Sequence, residues 1–305
     1  MRLFYLVILL FISLNTFSQN FITETSAEVA PYWKKGDVKN LEKTATREKY
    51  VNDILVFKTT SKSFIEIKVL DEIDTFYTIE WHFKETIVSE TEEEVTKRLA
   101  EMTNGFKATY SINDIGVYHK MLNYVEMQDF LAKGMEKMKE EHGIDTVGKE
   151  IYNVLKQVFA SEEAIEASFS RDIKLYHFPY GSSYEINELI EEPIMLPNPL
   201  TGDPIKAQLL FKMTNLDFPG MSCTIEGTMK ITEEDSKKYA KDFIEKLKAE
   251  GAARIPKESE IPLMEVEDYS KHIVELLTGW VTYASHVRTV KSGIVKQVDT
   301  TLFEL

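Results

Sequence analysis

The sequence predicts an α+β protein with about ten strands in one or two strongly bent antiparallel β-sheets and with amphipathic helices packed on one face. Two patterns carry this prediction. Several segments alternate apolar and polar residues with period two, which is typical of strands with one buried and one wetted face, as in antiparallel sheets. Between them lie segments with apolar residues at helical spacing, and such stripes have to bury against a sheet or another helix.

The N-terminus has the layout of a secretory signal peptide over residues 1–18. A positive start at Arg2 precedes an unbroken apolar run over residues 3–12, and Thr16 and Ser18 are small residues suited to a cleavage site before Gln19. The run is short for a transmembrane helix, and no later run is longer. No cysteine lies near the cleavage point, so we expect neither a lipid anchor nor a transmembrane segment after cleavage. The expected location is the periplasm or the extracellular space.

The chain is strongly acidic, with 36 basic and 50 acidic residues and a net charge of −14. Loss of Arg2 with the signal peptide makes the charge −15. Such a chain repels phosphate, which argues against nucleic-acid binding and against docking on an anionic leaflet. The single cysteine, Cys223, lies on the apolar face of an alternating segment, which predicts a buried and unreactive thiol.

Pro and Gly divide the mature chain into three parts. A strand-rich half with two long helices is expected over 19–170, a Pro/Gly-rich connection over 171–204, and a strand–helix–strand half over 205–305, packed as one unit. In both halves a Thr-Ile-Glu strand segment precedes a Thr-Glu-Glu helix start, at Thr91 and at Thr232. This repeated order suggests an internal duplication, and chance similarity of short segments is the alternative.

In the first half, strands are predicted over 65–69, 77–84 and 106–112, followed by a turn at 113–116 and a strand over 117–122. Trp81 shares the apolar face of the second of these strands, which predicts a position in the core rather than a sugar-stacking surface.

Two helices follow in this half. Asn123 opens a segment that resembles a capping box, and Met127, Leu131, Met135 and Met138 form one stripe of the predicted helix. Apolar residues between 147 and 158 indicate a second helix.

In the second half, strands are predicted over 207–213 and 221–231, then a helix capped by Thr232, then strands from about residue 261. Gly279 is predicted to form a turn between antiparallel strands, with a positive φ that glycine adopts at low cost. Gly279→Ala would then cost about 1 kcal/mol. Trp280 is expected to cover the sheet end, and ligand stacking at a pocket rim is its alternative role.

Four short patches resemble uncharacterised exported proteins of Bacteroidota-type bacteria. They are Trp33-Lys34-Lys35-Gly36-Asp37, Tyr77-Thr78-Ile79-Glu80-Trp81, Leu196-Pro197-Asn198-Pro199 and Thr278-Gly279-Trp280. The resemblance implies export and transfers no activity.

The candidate ligand-binding residues are the helix stripe Met127, Leu131, Met135 and Met138, together with Trp280. Thioethers adapt to irregular apolar partners, so this stripe could line a pocket, and a methionine-filled core is the alternative. The six histidines are scattered and no calcium-loop or nucleophile-elbow spacing is present, so no metal, cofactor or named catalytic residue is predicted.

The sequence thus favours an exported, non-enzymatic envelope protein that binds a hydrophobic small molecule or an envelope protein. The alternative is a secreted hydrolase that uses a pair of acidic residues, because two of the fifty carboxylates could meet in a cleft.

Overall fold

The computed structural model describes residues 22–73, 75–89, 94–142, 161–196, 205–249 and 263–305, together with residues 149 and 152. Within them the chain forms thirteen strands and four helices. The strands are β1 (Ser26–Val29), β2 (Val38–Val51), β3 (Ile54–Ile73), β4 (Phe76–Ser89), β5 (Lys107–Asn113), β6 (Tyr118–Met121), β7 (Ser182–Glu185), β8 (Ile190–Leu196), β9 (Ile205–Asp217), β10 (Ser222–Ile231), β11 (Met264–Glu275), β12 (Val281–Ser292) and β13 (Val295–Glu304). The helices are α1 (Glu94–Met102), α2 (Tyr124–His142), α3 (Glu162–Tyr176) and α4 (Glu233–Ala249). The predicted signal peptide and the apolar residues of the helix predicted over 147–158 lie outside the described residues.

Eleven of these strands form one antiparallel sheet in the order β6-β5-β4-β3-β2-β13-β12-β11-β10-β9-β8. Strands β1 and β7 pair separately. Over the residues described, the edge strands β6 and β8 do not pair with each other, so the sheet is open. Since β13 pairs with β2, strands from both ends of the described chain lie side by side in this sheet. The predicted class, a mainly antiparallel α+β protein, is confirmed, with more strands than expected.

The sheet curls around the segment that follows α3. Eight strand spacings separate β5 from β9, which would be about 38 Å in a flat sheet. Yet Tyr110 of β5 contacts His177 with ring centroids 5.6 Å apart, and Phe211 of β9 contacts the adjacent Phe178 at the same distance. Two strands near opposite edges of the sheet therefore contact the consecutive residues His177 and Phe178, which requires the sheet to be strongly curved. Bulges in β3 and at the Ile273–Val274 step of β11 accompany the bend.

Buried and partly exposed residues alternate along the strands, and the face that carries the buried residues is the inner face of the curved sheet. On β4, Tyr77, Ile79 and Trp81 are buried, and the residues between them are partly exposed. Trp81 is 1% exposed, so the predicted core position is confirmed. Cys223 is likewise buried on β10, and burial raises the pKa of its thiol to about 12, which keeps it protonated and inert.

The predicted turns form where glycine was expected. Gly116 has a φ of +88°, and its N–H donates to the carbonyl of Asn113 in a tight turn between β5 and β6. Gly279 has a φ of +72° between β11 and β12, which confirms the predicted turn. Trp280 follows it, is 2% exposed and stacks on Trp33 with ring centroids 4.2 Å apart.

Two helices begin at a side-chain cap, whereas the capping box predicted at Asn123 does not form. The hydroxyl of Ser161 accepts from the N–H of Ala164 at α3, and that of Thr232 accepts from the N–H of Asp235 at α4. Helix α2 begins at Tyr124 as predicted, but the side chain of Asn123 bonds the backbone of β5 at Lys107 and Thr109. Asn123 therefore ties the helix start to the sheet instead of forming a capping box.

Candidate functional site

The segment from α3 to β7 fills the inner face of the sheet and positions the buried polar groups. The Tyr176 hydroxyl donates to the carbonyl of Val281 at 2.9 Å, and the Tyr180 hydroxyl donates to the carbonyl of Gly279 at 2.5 Å. His177 donates from Nδ1 to the carbonyl of Gly116 and accepts the hydroxyl of Tyr110 at Nε2. Burial lowers the pKa of His177 to about 3, so the ring is neutral. These satisfied bonds indicate a structural centre.

A cavity of about 310 Å³ lies beside this centre, between α1, α3 and the inner face of β2 to β5. Most of its wall is aromatic or aliphatic. Phe106, which directly precedes β5, stacks on Phe169 of α3 with ring centroids 4.8 Å apart, which closes one side. The apolar lining residues are Trp81, Phe83, Val88, Leu99, Ala100, Phe106, Ala108, Phe169 and Ile173.

One side of the cavity is polar. Lys43 of β2 pairs with Asp172 of α3, and both side chains are mostly buried, at 17% and 29% exposed. Nearby, the hydroxyls of Ser63 and Thr86 lie 3.0 Å apart, and the Thr103 hydroxyl donates to the carbonyl of Ala100. The cavity therefore offers an apolar body and one polar end with a neutralised ion pair and hydroxyls.

Two other hollows have a different character. One of about 580 Å³ beside α4 is lined by charged side chains that include Lys230, Glu233 and Glu265. Another of about 390 Å³ is bordered by Glu42, Lys84 and other residues on β2 to β4 and at the C-terminus. The predominantly apolar lining makes the cavity between α1 and α3 the better site for a hydrophobic molecule.

A row of alternating charges crosses the inner face further along the strands. Arg288 binds Asp268 through both carboxylate oxygens, at 2.8 and 2.6 Å, and Arg47 binds Asp299 at 2.7 Å. Burial alone would raise the pKa of Asp268, but hydrogen bonds from Arg288 and His286 outweigh it and lower that pKa. A carboxyl held ionised in this way is unsuited to act as a general acid.

Within the described residues, Asp268 is the one buried carboxylate, and no group of three or more metal-binding side chains occurs. The acidic pair needed by the predicted hydrolase alternative therefore gains no support from the described part of the chain. None of the helices described is both long and apolar enough to cross a bilayer.

The described side chains among the predicted ligand-binding residues are not part of the cavity wall. Met127 and Leu131 are 1% and 4% exposed in the core, and Met135 packs against that core with partial exposure. Met138 belongs to α2, but its side chain is outside the described part. Trp280 is buried against Trp33. The four whose side chains are described are not among the residues that line the cavity, and the role of all five in binding stays a prediction.

Sequence reasoning missed the cavity residues on α3. A signal was present, because Ile165, Phe169, Ile173 and Tyr176 have helical spacing after the cap residue Ser161. Their partners, such as Phe106 for Phe169 and Trp81 for Tyr176, could not be read from the sequence, since they depend on which strands lie under the helix.

No family model and no curated protein sequence matches the chain. Among solved structures, one of lipid–protein interactions in lipovitellin aligns over 89% of this chain and 25% of that chain, with 7% identity and a TM-score of 0.40. This chain thus spans about a quarter of the length of that structure. An outer membrane channel from Pseudomonas putida F1 aligns over 90% of this chain and 97% of that chain, with 9% identity and a TM-score of 0.21. At these scores neither likeness carries an argument about function.

Proposed function

We propose that this protein is an exported envelope protein that binds a hydrophobic ligand with one polar end in the cavity between α1 and α3. The observation that carries the proposal is the division of the cavity wall into an apolar body and a polar end. Small-molecule sites are mostly apolar, contain a few placed polar groups and begin at volumes of about 300 Å³. The cavity has each of these properties.

The ligand class follows from the lining. Phe106, Phe169 and Trp81 offer broad apolar surfaces for a hydrocarbon chain. Lys43 can hydrogen-bond a carboxylate or hydroxyl, and Asp172 already balances its charge, so the polar end suits a small head group. A single-chain amphiphile such as a medium-chain fatty acid or alcohol meets both requirements.

Blocking the cavity tests this proposal. Val88→Phe adds bulk to the lining, whereas Ile87→Phe on the same strand adds it to a side chain that is 48% exposed on the other face. We expect the natural chain and Ile87→Phe to bind 1-N-phenylnaphthylamine and to release it to decanoate. Val88→Phe should weaken both affinities about tenfold or more, since overpacking costs about 1–3 kcal/mol. Equal binding by all three chains, or no binding by the natural chain, would refute the cavity as the site.

Export rests on the signal-peptide layout alone. Protein recovered from the periplasm or the medium should begin at Gln19. An uncut chain retained in the cytoplasm would contradict the proposed location. The second part of the prediction is that the protein binds another envelope protein. Co-purification from the native envelope, followed by identification of bound proteins by mass spectrometry, tests it.

Two architectural predictions belong with this proposal. We infer that helices form a layer on the face that carries Trp81, which is supported by ring contacts of Phe106 with Phe130 of α2 and Phe169 of α3. The proposed duplication draws support from order alone, because α1 follows β4 and α4 follows β10, each between neighbouring antiparallel strands.

A further inference from the structure

Two hairpin turns lie side by side at one end of the sheet. Asn52 and Asp53, both with positive φ, join β2 to β3, and Gly293 and Ile294 join β12 to β13. Because β13 pairs with β2, the two turns are adjacent, and the Asn52 N–H donates to the carbonyl of Ile294 at 2.9 Å. Residues 51–56 and 292–295 are called the hairpin tip below.

The hairpin tip exposes several aliphatic side chains that are not needed to form its turns. Ile54 is 67% exposed, Leu55 45%, Val56 55% and Ile294 61%. Single exposed aliphatic side chains are ordinary, but four at the ends of adjoining hairpins, three at the start of β3 and one in the other turn, form a patch of the kind that contacts a membrane or a partner. Asn-Asp and Gly-containing turns close without such side chains, so turn formation does not account for them.

The strands beside the hairpin tip are basic, although the chain as a whole carries −14. Residues 47–58 and 288–298 contain six lysine or arginine residues and two acidic ones. Three of the six form ion pairs, Arg47 with Asp299, Lys58 with Glu48 and Arg288 with Asp268, so the contact with lipid is argued from the other three lysines. Lys49 and Lys291 are exposed, and the ammonium of Lys296 lies 4.5 Å from the ring centre of Tyr50. Glu265 of β11 lies opposite Lys291, so the neighbouring strand offsets part of this charge.

We propose that the hairpin tip docks on a membrane surface that contains anionic lipid. Ile54 and Ile294 enter the boundary between head groups and acyl chains, and the lysines contact lipid phosphates. An apolar patch flanked by basic residues is the usual composition of surfaces that bind such membranes. Lys49, Lys291 and Lys296 stand at this end of an otherwise acidic protein, so an anionic surface would also orient the molecule with this end towards it. This docking goes beyond the proposed ligand binding and does not depend on it.

Vesicle co-sedimentation of the mature chain tests the docking. The natural chain should bind vesicles of phosphatidylcholine mixed with phosphatidylglycerol more strongly than vesicles of phosphatidylcholine alone, and salt should weaken the difference. Ile54→Ser combined with Ile294→Ser should lower the partition coefficient about tenfold or more. Lys49→Gln combined with Lys291→Gln should lower it by a similar factor on the anionic vesicles only.

Ile73→Ser is the matched control, because Ile73 is 60% exposed at the opposite end of the same strand β3. It should bind as the natural chain does. Failure of the natural chain to bind anionic vesicles overturns the proposal, as does a loss upon Ile73→Ser equal to that of the double isoleucine variant. Unchanged binding by the double lysine variant would exclude anionic lipid as the partner.

Discussion

Gly279→Ala should destabilise this protein far more than its turn conformation alone would require. Gly279 lies between β11 and β12 with a φ of +72°, and its N–H and carbonyl bond Glu275 and Tyr180. A Cβ at this position would lie 2.1 Å from the carbonyl oxygen of Ala30 and 2.9 Å from the Cα of Pro31. Both contacts are with backbone, so no rotation of a side chain can relieve them.

The magnitude follows from two terms. The left-handed backbone costs a non-glycine residue about 1–2 kcal/mol. Displacing the 30–31 segment is an overpacking effect of about 1–3 kcal/mol. It also threatens the hydrogen bond from the Tyr32 N–H to the carbonyl of Thr278 and the stacking of Trp33 on Trp280. The total loss is about 2–5 kcal/mol, which corresponds to a Tm lowered by about 3–8 °C in a chain of this length.

Gly36→Ala separates the two terms. Gly36 also has a positive φ, +93°, but no heavy atom lies within 4 Å of the position of its added Cβ. Urea unfolding followed by tryptophan fluorescence should give a loss of about 1–2 kcal/mol for this control, from the backbone alone. Equal losses for the two variants would refute the argument from the close backbone approach at Gly279.

Two further outcomes are expected. Trp81→Ala should cost about 3–5 kcal/mol in urea unfolding, because Trp81 is 1% exposed and contacts the rings of Tyr110 and Tyr176; an unchanged midpoint would contradict its core role. Burial lowers the pKa of His177 to about 3 and of His272 to about 4, so the unfolded chain binds more protons below the ordinary histidine pKa of about 6.5. Stability from these neutral rings is therefore present above that pH and is lost as pH falls towards about 4. His272→Gln can keep the bond to the carbonyl of Leu175, and its deficit against the natural chain should shrink between pH 7 and pH 5; a constant deficit would speak against this titration.

Local patterns were sufficient where the structure is decided by near neighbours. The alternation around Trp81 predicted its burial, and the position of Gly279 between apolar segments predicted a turn. Thr232 was read as a helix cap and accepts the N–H of Asp235. In contrast, Asn123 has a capping residue type at a helix start, yet its amide bonds β5, because a strand lies within reach of it.

The candidate cavity could not be predicted from the sequence, because the residues that line it are distant from one another in the chain. Lys43 and Asp172 are 129 positions apart, and Phe106 meets Phe169 across the same space. The methionine stripe of α2 was chosen for its chemistry, and Met127 and Leu131 are buried in the core without lining the cavity. Residue type alone does not tell a pocket lining from a core contact, because both are apolar.

By itself, the sequence determined the antiparallel α+β class, the burial of Cys223 and Trp81, and the turn at Gly279, since periodicity and backbone sterics act within a few residues. Only the tertiary structure decided three other features. These are the curvature that brings β5 and β9 close to the consecutive residues His177 and Phe178, the close approach of Ala30 to Gly279, and the apolar hairpin tip formed by turns more than 230 positions apart. The overall charge of −14 gave no sign of that tip. The strand order determines which side chains meet. It arises from pairing between strands that are distant in the sequence, so it cannot be read from any short segment.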